Sequence, residues 1–187
     1  MTEESGQVEP ADVMLLERAR NGDVSAFHDL VDRHAARLFR TAVSLLGNAS
    51  DAEDVLQETL AGAFRGLRAF QGLASVKTWL TGILVRQVAM HRRRAGRQEA
   101  RLIRLQAIEP VPPDVPAATG RVDTRLDVTA AIRSLASDHR DVIVLRELEG
   151  LSYDEMAEAL GVPRGTVESR LFRARRRLQE LLKGYLD

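Results

Sequence analysis

The stretch "LSYDEMAEALGVPRGTVESRLFRARRRL", residues 151–178, holds two apolar-patterned segments parted by Gly161-Val162-Pro163. Ser152 and Glu155 have the S-x-x-E spacing of a capping box, in which each side chain satisfies a backbone N–H that a helix start leaves open. A helix is therefore expected from about Tyr153, with Met156, Ala157 and Leu160 at helical spacing. Gly161 suits the left-handed residue that ends a helix. Pro163 cannot continue the first helix but is tolerated in the first turn of a second. The second segment carries Val167, Leu171, Ala174 and Leu178 on one apolar stripe, and charge on its other faces. Two short helices joined by a tight turn containing glycine form a helix-turn-helix, whose second helix commonly enters the DNA major groove. Between residues 164 and 177 there are six arginines and one glutamate, a positive field suited to phosphates. A solvated helical hairpin explains either half alone. The cap, the turn and the arginine load together favour DNA binding.

Working outward, the chain has 187 residues, enough for one or two domains. Lys+Arg and Asp+Glu are both 27, so a DNA-binding chain of this composition has to segregate its charges. There is no cysteine, which excludes disulfides, thiol catalysis and Cys-based zinc sites and fits a cytoplasmic location. The start, "MTEESGQVEP", is acidic and unlike a secretory signal. The apolar run near "WLTGILV" is too short to span a bilayer, so no membrane insertion is expected. Aromatics make up 4% of the chain and strand-like alternation is rare, which points to an all-α protein.

Four of the six prolines cluster in "IEPVPPDVPAATG". This stretch is read as a flexible, extended linker. It gives two small helical domains, 1–105 and 123–187, joined by residues 106–122, with the helix-turn-helix in the second. The first domain reads as four helices. "DVMLLERARNG" stops at Gly22. Phe27, Leu30, Val31, His34 and Leu38 mark the second helix. Ser50 and Glu53 form another capping box before the third, whose Ala52, Val55, Leu56, Ala63, Phe64 and Leu67 face inward. A fourth runs from about Val76 past Arg94. Such stripes imply a small bundle.

Two faces of this bundle carry opposite charge. Asp51, Asp54 and Glu58 lie at i, i+3 and i+7, with Glu53 beside them and no base among them. Negative charge favours a helix N-terminus, which accounts for Asp51 and Glu53 but poorly for Glu58. A metal site is a second reading, although no other acidic or His cluster completes a ligand set. A docking face for a basic partner is a third. Residues 86–104 hold seven arginines and one glutamate, a bias that favours a nucleic-acid contact. Trp79 begins this helix, as a core anchor, while the preceding "FQGLAS" loop presents a surface for an unstacked base.

These residues resemble the sigma-70 family of bacterial RNA polymerase sigma factors, in the compact layout of the extracytoplasmic function (ECF) group. "DAEDVLQETL" resembles the polymerase-binding segment of region 2, "TWLTGI" the start of its −10 helix, and "LSYDEMAEALGVPRGTVESRLFRAR" the −35 reader of region 4. The resemblance covers roughly 27–98 and 127–182. It implies that Asp51, Asp54, Gln57 and Glu58 dock on the coiled coil of the polymerase β′ subunit. It also implies that region 4 meets the β flap. Phe70, Trp79, Arg86, Arg92, Arg93 and Arg94 would engage the −10 element. Arg164, Thr166, Glu168, Ser169, Arg170, Arg173 and Arg176 would read or clamp the −35 element. It implies no catalytic residues, metal or cofactor, and an anti-sigma factor as a further partner. The alternative is a helix-turn-helix regulator that does not bind core polymerase.

The chain departs from the family pattern at Val76, Arg86, Met90 and Glu168. Position 168 is often basic in the family. Glutamate accepts a hydrogen bond from cytosine N4, whereas Arg or Lys favours guanine. A carboxylate among six arginines either meets a base-edge donor or pairs with Arg164, four residues before it. Base readout is the reading preferred from the sequence.

Overall fold

The computed structural model describes residues 10–72, 74–106 and 124–183, and the regular elements among them are all helical. The first block contains α1 (Pro10–Arg20), α2 (Val24–Leu46), α3 (Ala49–Gly66), a 3₁₀ turn (Leu67–Ala69) and α4 (Val76–Gln106). The second contains α5 (Thr124–Ser134), α6 (Ser137–Ile143), a π-helical turn (Val144–Leu148), α7 (Tyr153–Leu160) and α8 (Arg164–Leu182). The acidic start, Leu73 of the "FQGLAS" loop and the Pro-rich stretch 107–123 lie outside the described residues.

Local chemistry sets the helix ends. Asp23 caps α2 by accepting the Ala26 N–H at 3.1 Å, and it also accepts from Ser25 and Arg18 at 2.7 Å. The Ser25 hydroxyl, then Arg18, then the Ala26 N–H lower its carboxyl from 3.8 to about 2. Because the folded-state value is the lower one, this cap stabilises the fold above pH 3.8. The contribution disappears as the pH falls towards 2. Asp23→Ala is therefore expected to lower the melting temperature at pH 7. The gap to the parent should close between pH 4 and pH 2 in a series of thermal melts.

At α3 the structure corrects the expected cap. Asn48, not Ser50, is the N-cap, accepting the Asp51 N–H at 2.8 Å and donating to the Asp51 carboxylate at 2.7 Å. Gly47 already turns the chain in a left-handed conformation (φ 89°), so the next residue is placed to cap, and Ser50 and Glu53 fall inside the helix. Phe64 was expected inward but is 53% exposed, its ring edge-on to Phe27 at 5.1 Å. Ala63 takes the fully buried position beside it. Gly62 is where α3 comes close to α4, since a Cβ there would stand 3.3 Å from Ile83.

In the second block the helix-turn-helix forms as the sequence indicates. Both capping-box hydrogen bonds are present, with the Ser152 N–H donating to Glu155 at 2.8 Å. Gly161 is left-handed (φ 65°, ψ 36°). Gly161→Ala is expected to cost roughly 1–2 kcal/mol, the penalty for placing a Cβ in that conformation, measurable by urea unfolding. Pro163 serves as the N-cap of α8, one residue ahead of the first turn. Val167, Leu171 and Ala174 are buried, with Leu178 partly so.

Each block has its own core. Leu30, Leu38, Leu45, Val55, Leu84 and Val88 centre the first. Leu135, Val142, Leu145, Met156, Val167 and Leu171 centre the second. The blocks also pack against each other. Val144 of the π-helical turn belongs to the first core, and Val85 of α4 to the second.

Candidate polymerase and nucleic-acid interfaces

Helix α3 turns its apolar side inward through Ala52, Val55 and Ala63, which leaves Glu53, Asp54, Gln57 and Glu58 exposed on the opposite side. Asp51 stands apart from this group. Its carboxylate is tied to Asn48 and lies 3.3 Å from His91 Nε2 of α4. The Asn48 hydrogen bond, with His91 as a lesser contributor, lowers its pKa although partial burial opposes this. Asp51 therefore caps and braces α3, while Asp54, Gln57 and Glu58 form the free part of the face. Among the described residues no group of three or more His, Asp or Glu side chains could hold a metal ion, so the metal reading of Asp51, Asp54 and Glu58 gains nothing.

Phe70, which follows the 3₁₀ turn, stacks on Trp79 of α4 with ring centroids 4.5 Å apart. Phe70 is 9% exposed, so it serves mainly as packing, and Trp79 is partly buried. Beside the pair lies a cleft of about 510 Å³ whose wall includes Ile83 and Arg86 from α4. Its opposite wall comes from the second block, through Glu155 and Glu158 of α7. Burial pushes the Glu155 carboxyl up. Hydrogen bonds from the Ser152 backbone and the Thr78 hydroxyl, with the charge of Lys77, outweigh this and leave it below its ordinary value.

Arg86, Arg93 and Arg94 are exposed on α4. Arg92 is not free. Its guanidinium grips the Asp141 carboxylate of α6 through two hydrogen bonds of 2.8 and 3.0 Å and donates to the Leu45 carbonyl at 2.7 Å. Burial outweighs this pairing at Asp141, whose carboxyl is pushed up. Arg92, expected among the DNA-facing arginines, is held in the contact between blocks in the free chain.

On α8 the apolar stripe against the second core leaves Thr166, Glu168, Ser169, Arg170, Arg173 and Arg176 towards the outside, with Thr166 and Arg170 partly covered. Glu168 accepts from Arg164 at 2.9 Å. Arg164 also donates twice to Asp154 of α7, at 2.9 and 3.2 Å. Pairing with Arg164 is thus what Glu168 does in the free chain. Arg170 pairs with Asp138, and Arg176 lies 3.6 Å from Glu180. The Ser169 hydroxyl donates to the Thr166 carbonyl at 3.0 Å. Arg173 is exposed.

Sequence reasoning missed the residues that join the blocks. Glu149 is 2% exposed and accepts from Arg37 and Thr41 of α2, and its backbone carbonyl accepts from Lys77 Nζ at 2.7 Å. Nothing local distinguishes "RELEG" from a solvated turn, because the partners lie more than a hundred residues away.

The comparisons with known proteins agree with this geometry. Family models for sigma-70 region 2 and sigma-70 region 4 match residues 30–98 and 125–178. The ECF RNA polymerase sigma factor SigM of Mycobacterium tuberculosis is 36% identical over 182 residues, covering 97% of this chain and 89% of the relative. The ECF sigma factor SigE of Mycolicibacterium smegmatis is 38% identical over 171 residues, and the match takes in 86% of this chain but only 64% of that longer relative. Among solved structures, the sigma factor RpoE of Bartonella quintana in complex with the anti-sigma factor NepR superposes with a TM-score of 0.67 at 32% identity, covering 84% of this chain and 96% of that one. CnrH in complex with the cytosolic domain of CnrY gives 0.65 at 31%, covering 93% and 98%. Two matched regions in the right order, together spanning most of the chain, decide the matter: the chain belongs to the sigma-70 family of RNA polymerase sigma factors, within its ECF group.

Proposed function

We propose that this chain binds core RNA polymerase and directs it to promoters, docking through the free acidic face of α3 and reading DNA through α4 and α8. The observation that carries the reading is one chain with both sigma regions, an exposed acidic face on α3, and arginine-rich exposed faces on α4 and α8. A helix-turn-helix regulator leaves the α3 face and α4 without a purpose. In this reading α3 meets the β′ coiled coil, region 4 meets the β flap, and polymerase performs the chemistry while the sigma chain contributes binding energy to promoter melting. The chain needs no catalytic residue or cofactor for that role. Among the described residues no helix is long and apolar enough to cross a membrane. Copurification with tagged core polymerase tests the reading. Retention of the chain on core supports it, and DNA binding without core binding restores the regulator.

An anti-sigma factor completes the proposal, because one solved relative, the sigma factor RpoE of Bartonella quintana, is in complex with such a protein. With no cysteine in this chain, any thiol-based trigger resides in that partner. Affinity capture from unstimulated cells at native expression is expected to recover an inhibitor. Full transcription activity with no inhibitor recovered contradicts this.

A further inference from the structure

Along the exposed side of α3 the charge changes sign. Asp54 and Glu58 are followed, two turns after Glu58, by Arg65, and Arg68 is exposed in the 3₁₀ turn beyond. Arg20, at the end of α1, joins both in the wall of a cavity of about 270 Å³. The same cavity is lined by Val24 and Phe27 of α2 and by Phe64 of α3. Phe64 and Val24 are more than half exposed although both are apolar, and Phe27 braces the Phe64 ring edge-on. An adjoining hollow, which also takes in Glu17, shares Arg20 and Arg68.

Positive charge is favourable at a helix C-terminus, which accounts for Arg20 and Arg65 one at a time. It does not account for three arginines around one exposed ring. Among the described residues no hydrogen bond or ion pair engages Arg20, Arg65 or Arg68. The Asp23 carboxylate in the cavity wall is already taken by Arg18, Ser25 and the Ala26 N–H. Free guanidinium groups suit phosphate, and an exposed aromatic face suits a stacked base. The cavity also borders the cleft beside Trp79. Gly66, Ala69 and Phe70 line that cleft, while Arg65 and Arg68, from the same short stretch, line the cavity. A strand leaving the cleft around this turn meets the arginines next, which favours nucleic acid over an acidic peptide as the occupant.

We propose that Phe64, Arg20, Arg65 and Arg68 form a second single-strand site, which stacks a base on Phe64 and holds the flanking phosphates of the unpaired promoter strand beyond the −10 cleft. The inference rests on the sigma reading above. It gives the basic end of α3 a role separate from the acidic docking face.

The test compares single strands that carry the −10 sequence alone with strands extended by a few nucleotides at either end, in the presence of core polymerase. Extension at one end is expected to tighten binding to the parent complex by about ten-fold or more. Arg20→Gln, Arg65→Gln and Arg68→Gln together are expected to abolish that gain and leave binding of the short strand and of core unchanged. They should also flatten the logarithmic salt dependence on the extended strand by about 2, as three lost phosphate contacts require. Phe64→Ala is expected to weaken the extended strand by about five-fold or more, the equivalent of one base stack. No gain from extension in the parent overturns the proposal, as does a gain that survives in the arginine variant or an equal loss on short and extended strands. Loss of core affinity in the arginine variant overturns it as well, because the occupant is then an acidic segment of polymerase. A parent chain that does not bind core refutes the sigma reading itself, whereas core binding without a gain from extension refutes only the second site.

Discussion

Changing Asp54 and Glu58 together to lysine is expected to abolish core polymerase binding and leave the fold intact. Both side chains lie on the exposed side of α3, away from Val55 and Ala52, which are buried. Surface substitutions of this kind change stability by about 0.5 kcal/mol or less. At a docked interface the same reversals replace attraction by repulsion. A close pair is worth between about 1 and 4 kcal/mol depending on local dielectric, so two reversals remove at least 100-fold in affinity. Asp51→Lys is a different experiment. It breaks the Asn48 and His91 contacts and is expected to lower the melting temperature as well. Equal core affinity of the Asp54/Glu58 variant and its parent removes the docking assignment.

Glu168→Arg is expected to change the preferred base at one −35 position, with ~1–3 kcal/mol of discrimination at stake. The free chain pairs Glu168 with Arg164, which at first sight favours a purely structural role. Arg164, however, has a second acidic partner in Asp154, held through two hydrogen bonds. It loses little when Glu168 turns to a cytosine N4 group, because exposed pairs of this kind are weak. If Glu168 serves only Arg164, the arginine variant instead tightens binding about equally on all sequences and steepens the salt dependence through an added phosphate contact. Binding across a −35 library at two salt concentrations separates the outcomes, and uniform tightening with an unchanged base preference contradicts base readout.

What the sequence shows follows from the range of the forces involved. The helix-turn-helix was legible because the cap, the left-handed glycine and the apolar stripe of α8 all act within a few residues. The α3 start was misplaced by two residues because Asn48 and Ser50 are both good caps, and the choice depended on how Gly47 turned the chain. The acidic face was visible as a pattern. That Asp51 is spent on Asn48 and His91 was not, since His91 comes from α4, forty residues on. The contact between blocks was wholly hidden. Arg92 looked like one more arginine in a basic run, and its partner Asp141 lies forty-nine residues away. Buried ion pairs between distant segments leave no periodic trace in the chain, whereas apolar stripes do.

As a sigma factor, this chain is the subunit that brings promoter recognition to RNA polymerase. Run-off transcription with purified core polymerase, on promoters selected from a random library by the chain–core complex, tests this role most directly. A discrete transcript is expected only when chain and core are both present, starting a fixed distance downstream of the enriched −35 and −10 sequences. Sequence-specific DNA binding by the chain alone, with no core binding and no transcript, would contradict it.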